Sequence, residues 1–345
     1  MRPAVSVLMP VRNGLPWVRE ALGSLSAQTL ADLEIIVLED GSTDGTRELL
    51  DNFPDDRLRV IPTGGIGISA ALNIGLGAAC APLVARHDAD DVSAPHRLQA
   101  QAEYLDRRAD VGVLGTVAAY IDANGESVEN DWVHTVRQQQ DVALEPAQIR
   151  ELMPLTCCIT HGSVMARADV LRAANGYRQD AAPAEDYDLW LRLLPQTAFA
   201  KLPDRLYHYR VHDTQVSAQR RDQQLLRTLT VKLQNLRRVC SQLPSPACLM
   251  VAGSGRGAAY YRALAPSQGF TIAPTPPPLT PERLSLLDDR TVRTWMLEAC
   301  DVLVVANFSD LDAYTRALAP ELSEARLVRL GNFFVPRRWT EDIVA

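Results

Sequence analysis

The chain has 345 residues, 47% hydrophobic and 22% charged, with a formal net charge of −7 and a pI near 5.5. This is the make-up of a two-domain globular protein with apolar material for real cores, and its acidic balance excludes a dedicated nucleic-acid binder, whose footprint is basic. No apolar run is long enough to span a membrane, proline breaks the opening stretch too early for a signal peptide, and the cysteines lack metal spacing, so a reduced, cytoplasmic protein is expected.

Residues 4–9 form a β run stopped by Pro10, and Val11-Arg12-Asn13-Gly14 is turn chemistry. Over 16–28, Trp17, Val18, Ala21, Leu22 and Leu25 recur at helical spacing. Residues 33–38 are almost continuously apolar, as in a parallel strand covered on both faces. They end in Glu39-Asp40-Gly41-Ser42-Thr43-Asp44-Gly45-Thr46, a loop of turn and cap residues. A helix over 46–52, a strand over 58–61, a loop with Gly64, Gly65 and Gly67, and a helix over 69–79 follow. Such alternation predicts a doubly wound α/β sheet.

The next strand runs into Arg86-His87-Asp88-Ala89-Asp90-Asp91. Carboxylates this close repel unless a positive charge sits among them. Hard oxygen ligands suit Mg2+ or Mn2+, completed by substrate phosphates. At a strand's carboxyl end this is where α/β sheets bind ligands, and the loop at Asp40 lies at another such end.

A helix within 93–112 is expected to bury Leu98, Ala102 and Leu105 and expose Arg97, Arg107 and Arg108. A strand over 111–120 leads to the hairpin turn Asp122-Ala123-Asn124-Gly125-Glu126. The polar, glutamine-rich 132–146 reads as a loop, 149–152 as a helical turn and 157–165 as a strand. Glu185-Asp186 opens a helix over 187–194, with short strands over 198–202 and 206–209 behind it. Residues 219–240 form an amphipathic helix with a basic outer face. After Pro244-Ser245-Pro246, a strand over 247–252 meets Gly253-Ser254-Gly255-Arg256-Gly257-Ala258, a G-x-G-x-x-A string opening a helix. A strand over 270–273, a helix over 284–299, a strand over 301–306, a helix over 311–319 and a strand over 325–330 complete a small Rossmann-like domain. The acidic residue that would confirm a dinucleotide site after its second strand is missing.

Six blocks in order resemble the inverting glycosyltransferases of family 2, which have the GT-A fold. They are Val5-Ser6-Val7-Leu8-Met9-Pro10-Val11-Arg12-Asn13-Gly14, Ser26-Ala27-Gln28-Thr29-Leu30, Glu34 to Thr46, Ala71-Leu72-Asn73-Ile74-Gly75-Leu76, Asp88-Ala89-Asp90-Asp91 and Glu185-Asp186-Tyr187-Asp188-Leu189-Trp190-Leu191-Arg192-Leu193. The resemblance implies nucleotide contacts at Pro10, Arg12, Asn13, Asp40, Asn73 and Asp88, with Asp40 facing the uracil imide. It implies a Mn2+ or Mg2+ ion on Asp90, Asp88 and His212, a general base at Asp186, and donor or acceptor contacts at His161, Glu185 and Arg210.

The expected architecture is a GT-A domain over 1–217, a connecting helix over 218–243 and a Rossmann-like domain over 244–345. The expected activity is metal-dependent, inverting transfer from a nucleotide sugar, UDP being the expected nucleotide, to a glycan or lipid-linked glycan in surface polysaccharide synthesis. Peripheral membrane attachment and self-association through the C-terminal domain stay open. So does the alternative of a nucleotide- or sugar-binding module, or an NAD-linked enzyme acting through that domain.

Overall fold

The computed structural model describes residues 2–141, 143–253, 255–273, 300–306, 308–318 and 327–336. The chain divides into two compact units, Met1–Gln224 and Leu225–Ala345.

The first unit holds β1 (Val5–Val11), α1 (Val18–Ser26), β2 (Leu33–Glu39), α2 (Thr46–Asp51), β3 (Leu58–Pro62), α3 (Ile68–Ala78), β4 (Leu83–Arg86), β5 (Val92–Ser93) and α4 (Arg97–Arg107). These are followed by β6 (Val111–Ile121), α5 (Asp131–Gln140), α6 (Pro146–Leu152), β7 (Met165–Arg167), α7 (Ala168–Ala173), α8 (Glu185–Leu193), β8 (Ala198–Arg210) and the short α9 (Val216–Gln219). Eight strands form one mixed sheet in the order β3-β2-β1-β4-β7-β6-β8-β5. The first four positions are parallel; β7 is antiparallel to both β4 and β6, and β6 is parallel to β8. The carboxyl ends of β1, β2, β4, β6 and β8 therefore share one edge. Val5, Val7, Met9, Ile35 and Val37 of the central strands are wholly buried and pack with Val18, Ala21, Leu22 and Leu25 of α1.

Four expectations are corrected here. The glutamine-rich stretch is helix α5, because the Asn130 side chain accepts from the Val133 amide at 2.9 Å and Val133 packs on Ala118 and Tyr120. Residues 157–164 are not a strand: a 3-10 turn at His161–Ser163 precedes β7. The two short strands are one, β8, which keeps its pairing past Pro203 by shifting register against β6 around Val117. Arg97, expected outside, is fully buried.

In the second unit, β9 (Ala247–Ala252), α11 (Gly255–Leu264), β10 (Phe270–Ile272), β11 (Val302–Val305), α12 (Phe308–Ala317), β12 (Leu327–Leu330) and β13 (Phe333–Pro336) surround a five-stranded sheet, order β10-β9-β11-β13-β12. The first three strands are parallel, and the hairpin of β12 and β13, unforeseen from sequence, pairs antiparallel. Leu229, Leu233 and Leu236 of α10 (Arg221–Val239) and Cys240 lie in this unit's core. The helix expected over 284–299 lies outside the described residues, as do Ser254, Ala319 and 325–326 of the other expected elements. Among the described residues no helix is long and apolar enough to cross a membrane.

Candidate active site

β4 delivers a buried arginine and then the acidic loop. Arg86 donates Nη2 to Asp88 Oδ1 at 2.6 Å and Nη1 to the His87 carbonyl. Asp90 Oδ2 lies 3.0 Å from His212 Nε2, and the His212 ring stacks on Trp17 with centroids 4.1 Å apart. Asp91 is buried and accepts the Arg210 amide at 2.7 Å. Burial and the neighbouring carboxylates Asp90 and Asp88 push its carboxyl well above the usual range. Arg210 is also fully inside, donating to the Asp90 carbonyl (2.7 Å), the Asp122 carbonyl (2.8 Å) and Glu20 Oε2 (2.6 Å). It braces the acidic loop against α1 and the hairpin turn. The expected donor or acceptor contact by Arg210 is corrected accordingly, since its guanidinium is turned to protein partners.

A second cluster opens α8. Glu185 is buried, and its Oε2 meets no hydrogen-bond partner among the described residues. Asp186 Oδ1 accepts the Tyr187 amide at 2.7 Å, and its Oδ2 lies 3.9 Å from the Cys157 thiol. From sequence, the amino end of the helix should acidify Asp186, whereas like charges should do the reverse. Burial decides: it lifts Asp186 to about 6 against the opposing amide bonds, with the Asp88 charge adding to the rise. Glu185 rises to about 7, through burial first and the Asp186 charge second. Asp188 adds no free charge, being paired with Arg192 at 2.9 Å and Arg178 at 3.4 Å. His161 bonds the Tyr177 hydroxyl at 3.0 Å, and burial depresses its pKa well below the ordinary value, so it is neutral.

The loops after β1 and β2 are tied to each other. Asn13, at a positive φ of 55°, accepts the Thr43 amide at 2.8 Å and donates its own to Ser42 at 2.9 Å. Asp40 is buried and accepts from Thr63 Oγ1 (2.6 Å) and from the amides of Gly65 (2.9 Å), Ile66 (2.8 Å) and Gly67 (2.9 Å). Only one of those bonds falls on Oδ2, so a carboxylate with about four acceptor sites keeps one there. Burial alone would raise the Asp40 pKa; the four bonds outweigh it and hold the group low. Asn73 is half-buried; its side-chain amide donates to the Tyr177 carbonyl at 2.7 Å, and its side-chain oxygen accepts the Tyr177 amide at 2.8 Å.

Residues 6–173 match the family model described as Glycosyl transferase family 2. A glycosyltransferase of Haemophilus influenzae is 30% identical over 241 residues, 68% of this chain and 73% of that protein. The O-antigen biosynthesis glycosyltransferase WbnJ of Escherichia coli is 31% identical over 222 residues, 62% of this chain and 83% of that protein. The chain belongs to glycosyltransferase family 2. Solved structures share the fold. S. aureus TarS 1-349 in complex with UDP-GlcNAc aligns with a TM-score of 0.55 at 16% identity, over 92% of this chain and 80% of that one. The mannosyltransferase PcManGT of Pyrobaculum calidifontis in complex with GDP-Man and Mn2+ aligns with a TM-score of 0.50 at 19% identity, over 78% and 70%.

In this family 2 transferase the sheet edge gathers Asp88, Asp90 and His212, and Asp88 is close enough to Asp186 and Glu185 for its charge to act on both. Pro10 lies at the end of β1, with Arg12 in the adjoining turn. The Asp90–His212 pair fits a divalent cation that takes its other donors from diphosphate and water. Among the described residues no group of three or more His, Cys, Asp or Glu side chains forms a protein-only cage. Sequence reading missed Arg86, Tyr207, Arg97 and Cys157. The Tyr207 hydroxyl accepts the Asp88 amide at 3.1 Å, and its ring lies under the Arg97 guanidinium at 4.9 Å. An arginine at the end of an apolar strand was the available signal for Arg86.

Proposed function

We propose that this transferase is metal-dependent and inverting, and moves a sugar from a UDP-linked donor to a glycan or lipid-linked glycan. One observation carries the reading: two chemically different carboxylates share one sheet edge. Asp90 is part-exposed and joined to an imidazole, while Asp186 is held in a buried corner with its pKa raised to about 6. A carboxylate tuned this way stays largely ionised near neutrality and takes a proton more readily than an ordinary one. Asp186 removes the acceptor hydroxyl proton as that oxygen attacks the anomeric carbon opposite the diphosphate, and one displacement inverts the centre. Asp90 and His212 hold the cation, with Asp88 oriented beside them by Arg86. An imidazole ligand favours Mn2+ over Mg2+. The bound ion would offset negative charge building on the leaving diphosphate.

Pro10, Arg12, Asn13 and Asp40 line the nucleotide side, where the remaining acceptor site on Asp40 Oδ2 suits the uracil imide N–H. The UDP-GlcNAc complex of TarS supports a UDP donor, the GDP-Man and Mn2+ complex of PcManGT supports the cation, and WbnJ supports a role in surface polysaccharide assembly. The C-terminal unit is assigned a non-catalytic role in acceptor docking or self-association.

Isothermal titration of UDP, GDP and dTDP, with and without Mn2+, on wild type and Asp90→Ala tests the reading. UDP binding that needs both the metal and Asp90 is expected. Tight GDP or dTDP binding would remove the uracil role of Asp40, and no nucleotide binding under any condition would sink the transferase mechanism.

A further inference from the structure

The half of the edge formed by β6 and β8 carries an aromatic surface that the proposed chemistry leaves unused. Trp132, in the first turn of α5, is 37% exposed. Its ring lies 6.3 Å from Tyr209 and 6.0 Å from Tyr120, centroid to centroid. Tyr120 is buried, so it supports the group from below. The Tyr209 hydroxyl accepts from Gln215 Nε2 at 2.6 Å, and Gln215 Oε1 accepts the His212 amide at 2.8 Å. One glutamine thus joins the aromatic group to the metal-facing histidine. At the other end of α5, Gln140 bonds Thr160, the residue before His161. The helix spans from the His212 side of the edge to the His161 side.

We infer that Trp132, backed by Tyr120 and Tyr209, is a stacking platform for a sugar ring of the acceptor glycan. A pyranose presents C–H bonds on its faces and hydroxyls on its rim. It is matched by a flat apolar ring with neutral hydrogen-bonding groups around it. On the same helix Thr135, Gln138 and Gln139 are exposed and uncharged, with Asp131 and His134 exposed beside them. The cation against the aromatic group, Arg137, is paired with Glu129 and lies over the Tyr120 ring. A phosphate or nucleotide would instead call for cations at this surface. This inference rests on the transferase reading and adds to it the surface that selects the acceptor.

The test follows the indole N–H signals of the full-length protein by NMR, with the Trp132 signal assigned by its loss in Trp132→Phe. UDP and Mn2+ are added first. Methyl glycosides of glucose, galactose, N-acetylglucosamine, mannose and rhamnose are then titrated singly. At least one glycoside is expected to shift the Trp132 signal. Trp132→Ala should weaken its binding about tenfold, while Trp132→Phe stays within about threefold. UDP affinity and thermal midpoint should be unchanged in both variants. If no glycoside moves Trp132 on protein that binds UDP, or if Trp132→Ala binds sugar as wild type does, the platform is overturned. Wild-type protein that binds none of UDP, GDP and dTDP with Mn2+ would instead remove the transferase mechanism beneath it.

Discussion

Two pairs of carboxylates flank the same sheet edge and have opposite environments. Asp40 and Asp44, in the loop after β2, accept hydrogen bonds on both oxygens, and both are held below the usual carboxylate range although burial alone would raise them. Glu185 and Asp186 are held above that range by burial, and Glu185 Oε2 has no hydrogen-bond partner among the described residues. The difference teaches which carboxylates carry structure and which carry chemistry. A carboxylate that accepts backbone amides on both oxygens fixes a loop and resists taking a proton. One held in a poorly solvated corner keeps its basicity for a substrate.

The sharpest way to break this contrast is Asp186→Asn. It should lower kcat by about 10²- to 10⁴-fold while UDP and Mn2+ binding stay intact, as judged by calorimetry. A variant with unchanged kcat would place the base elsewhere. Stability should move the other way. A carboxylate with a raised folded-state pKa contributes its full share below its unfolded pKa, about 3.9, and loses it as pH rises through about 6. At pH 8 the wild type carries that loss and the Asn variant does not, so the variant should melt no lower than wild type there.

The pH profile sharpens the same point. The acid limb of kcat/KM should fall tenfold per pH unit below an apparent pKa of about 6. In Glu185→Gln the limb should stay near its wild-type position, because Glu185, raised to about 7, is largely protonated and uncharged where Asp186 titrates. A limb that moved to lower pH would mean that Glu185 is ionised beside the base.

How much of this contrast was readable beforehand depends on how local each feature is. The loop at Glu39 to Thr46 announces itself through residues that make turns and caps with their own neighbours. Asp186 was legible only through family resemblance, and its basicity was not legible at all, because the decisive burial is a property of the folded corner. Charged residues inside were missed for the same reason. The Arg210 guanidinium is satisfied by the Asp90 carbonyl, 120 positions away, and by Glu20, 190 positions away. No window of sequence displays such partners. Helix α5 was misread because only Val133 is fully buried within it, too few apolar positions for a helical period to show. In the second unit, the parallel β10-β9-β11 core was legible from three apolar runs, while the hairpin of β12 and β13 went unread although Gly331-Asn332, a two-residue hairpin turn, stands between its strands.

Asp40→Ala tests the structural pair next. Losing one buried acceptor strands the Thr63 hydroxyl and three amides, which should cost about 1–3 kcal/mol. The sign is opposite to that of Asp186. A carboxylate with a lowered pKa contributes stability above its unfolded value, about 3.9, and loses it as pH falls through the folded value. Urea midpoints of wild type and Asp40→Ala should therefore be well separated at pH 7 and converge under strong acid. A constant separation would mean that the charge of Asp40 is immaterial to the loop.

The smallest effect is expected at Asp44, and it decides whether saturation alone defines the structural class. Asp44 is exposed, yet its two oxygens accept the Thr46 and Leu15 amides, both at 3.0 Å. It holds the start of α2 and the turn after β1 much as a helix cap does, and truncating such a group typically costs about 0.5–2 kcal/mol. Water can replace the lost acceptor at an exposed site, so Asp44→Ala should fall at the low end of that range and below Asp40→Ala. Its effect should also fade as pH drops below the lowered pKa, the same direction as Asp40 and the reverse of Asp186. If Asp44→Ala instead lowered kcat with an unchanged urea midpoint, the loop after β2 would be contributing to the reaction directly. The division between shape-holding and proton-handling carboxylates would then no longer follow from hydrogen-bond saturation.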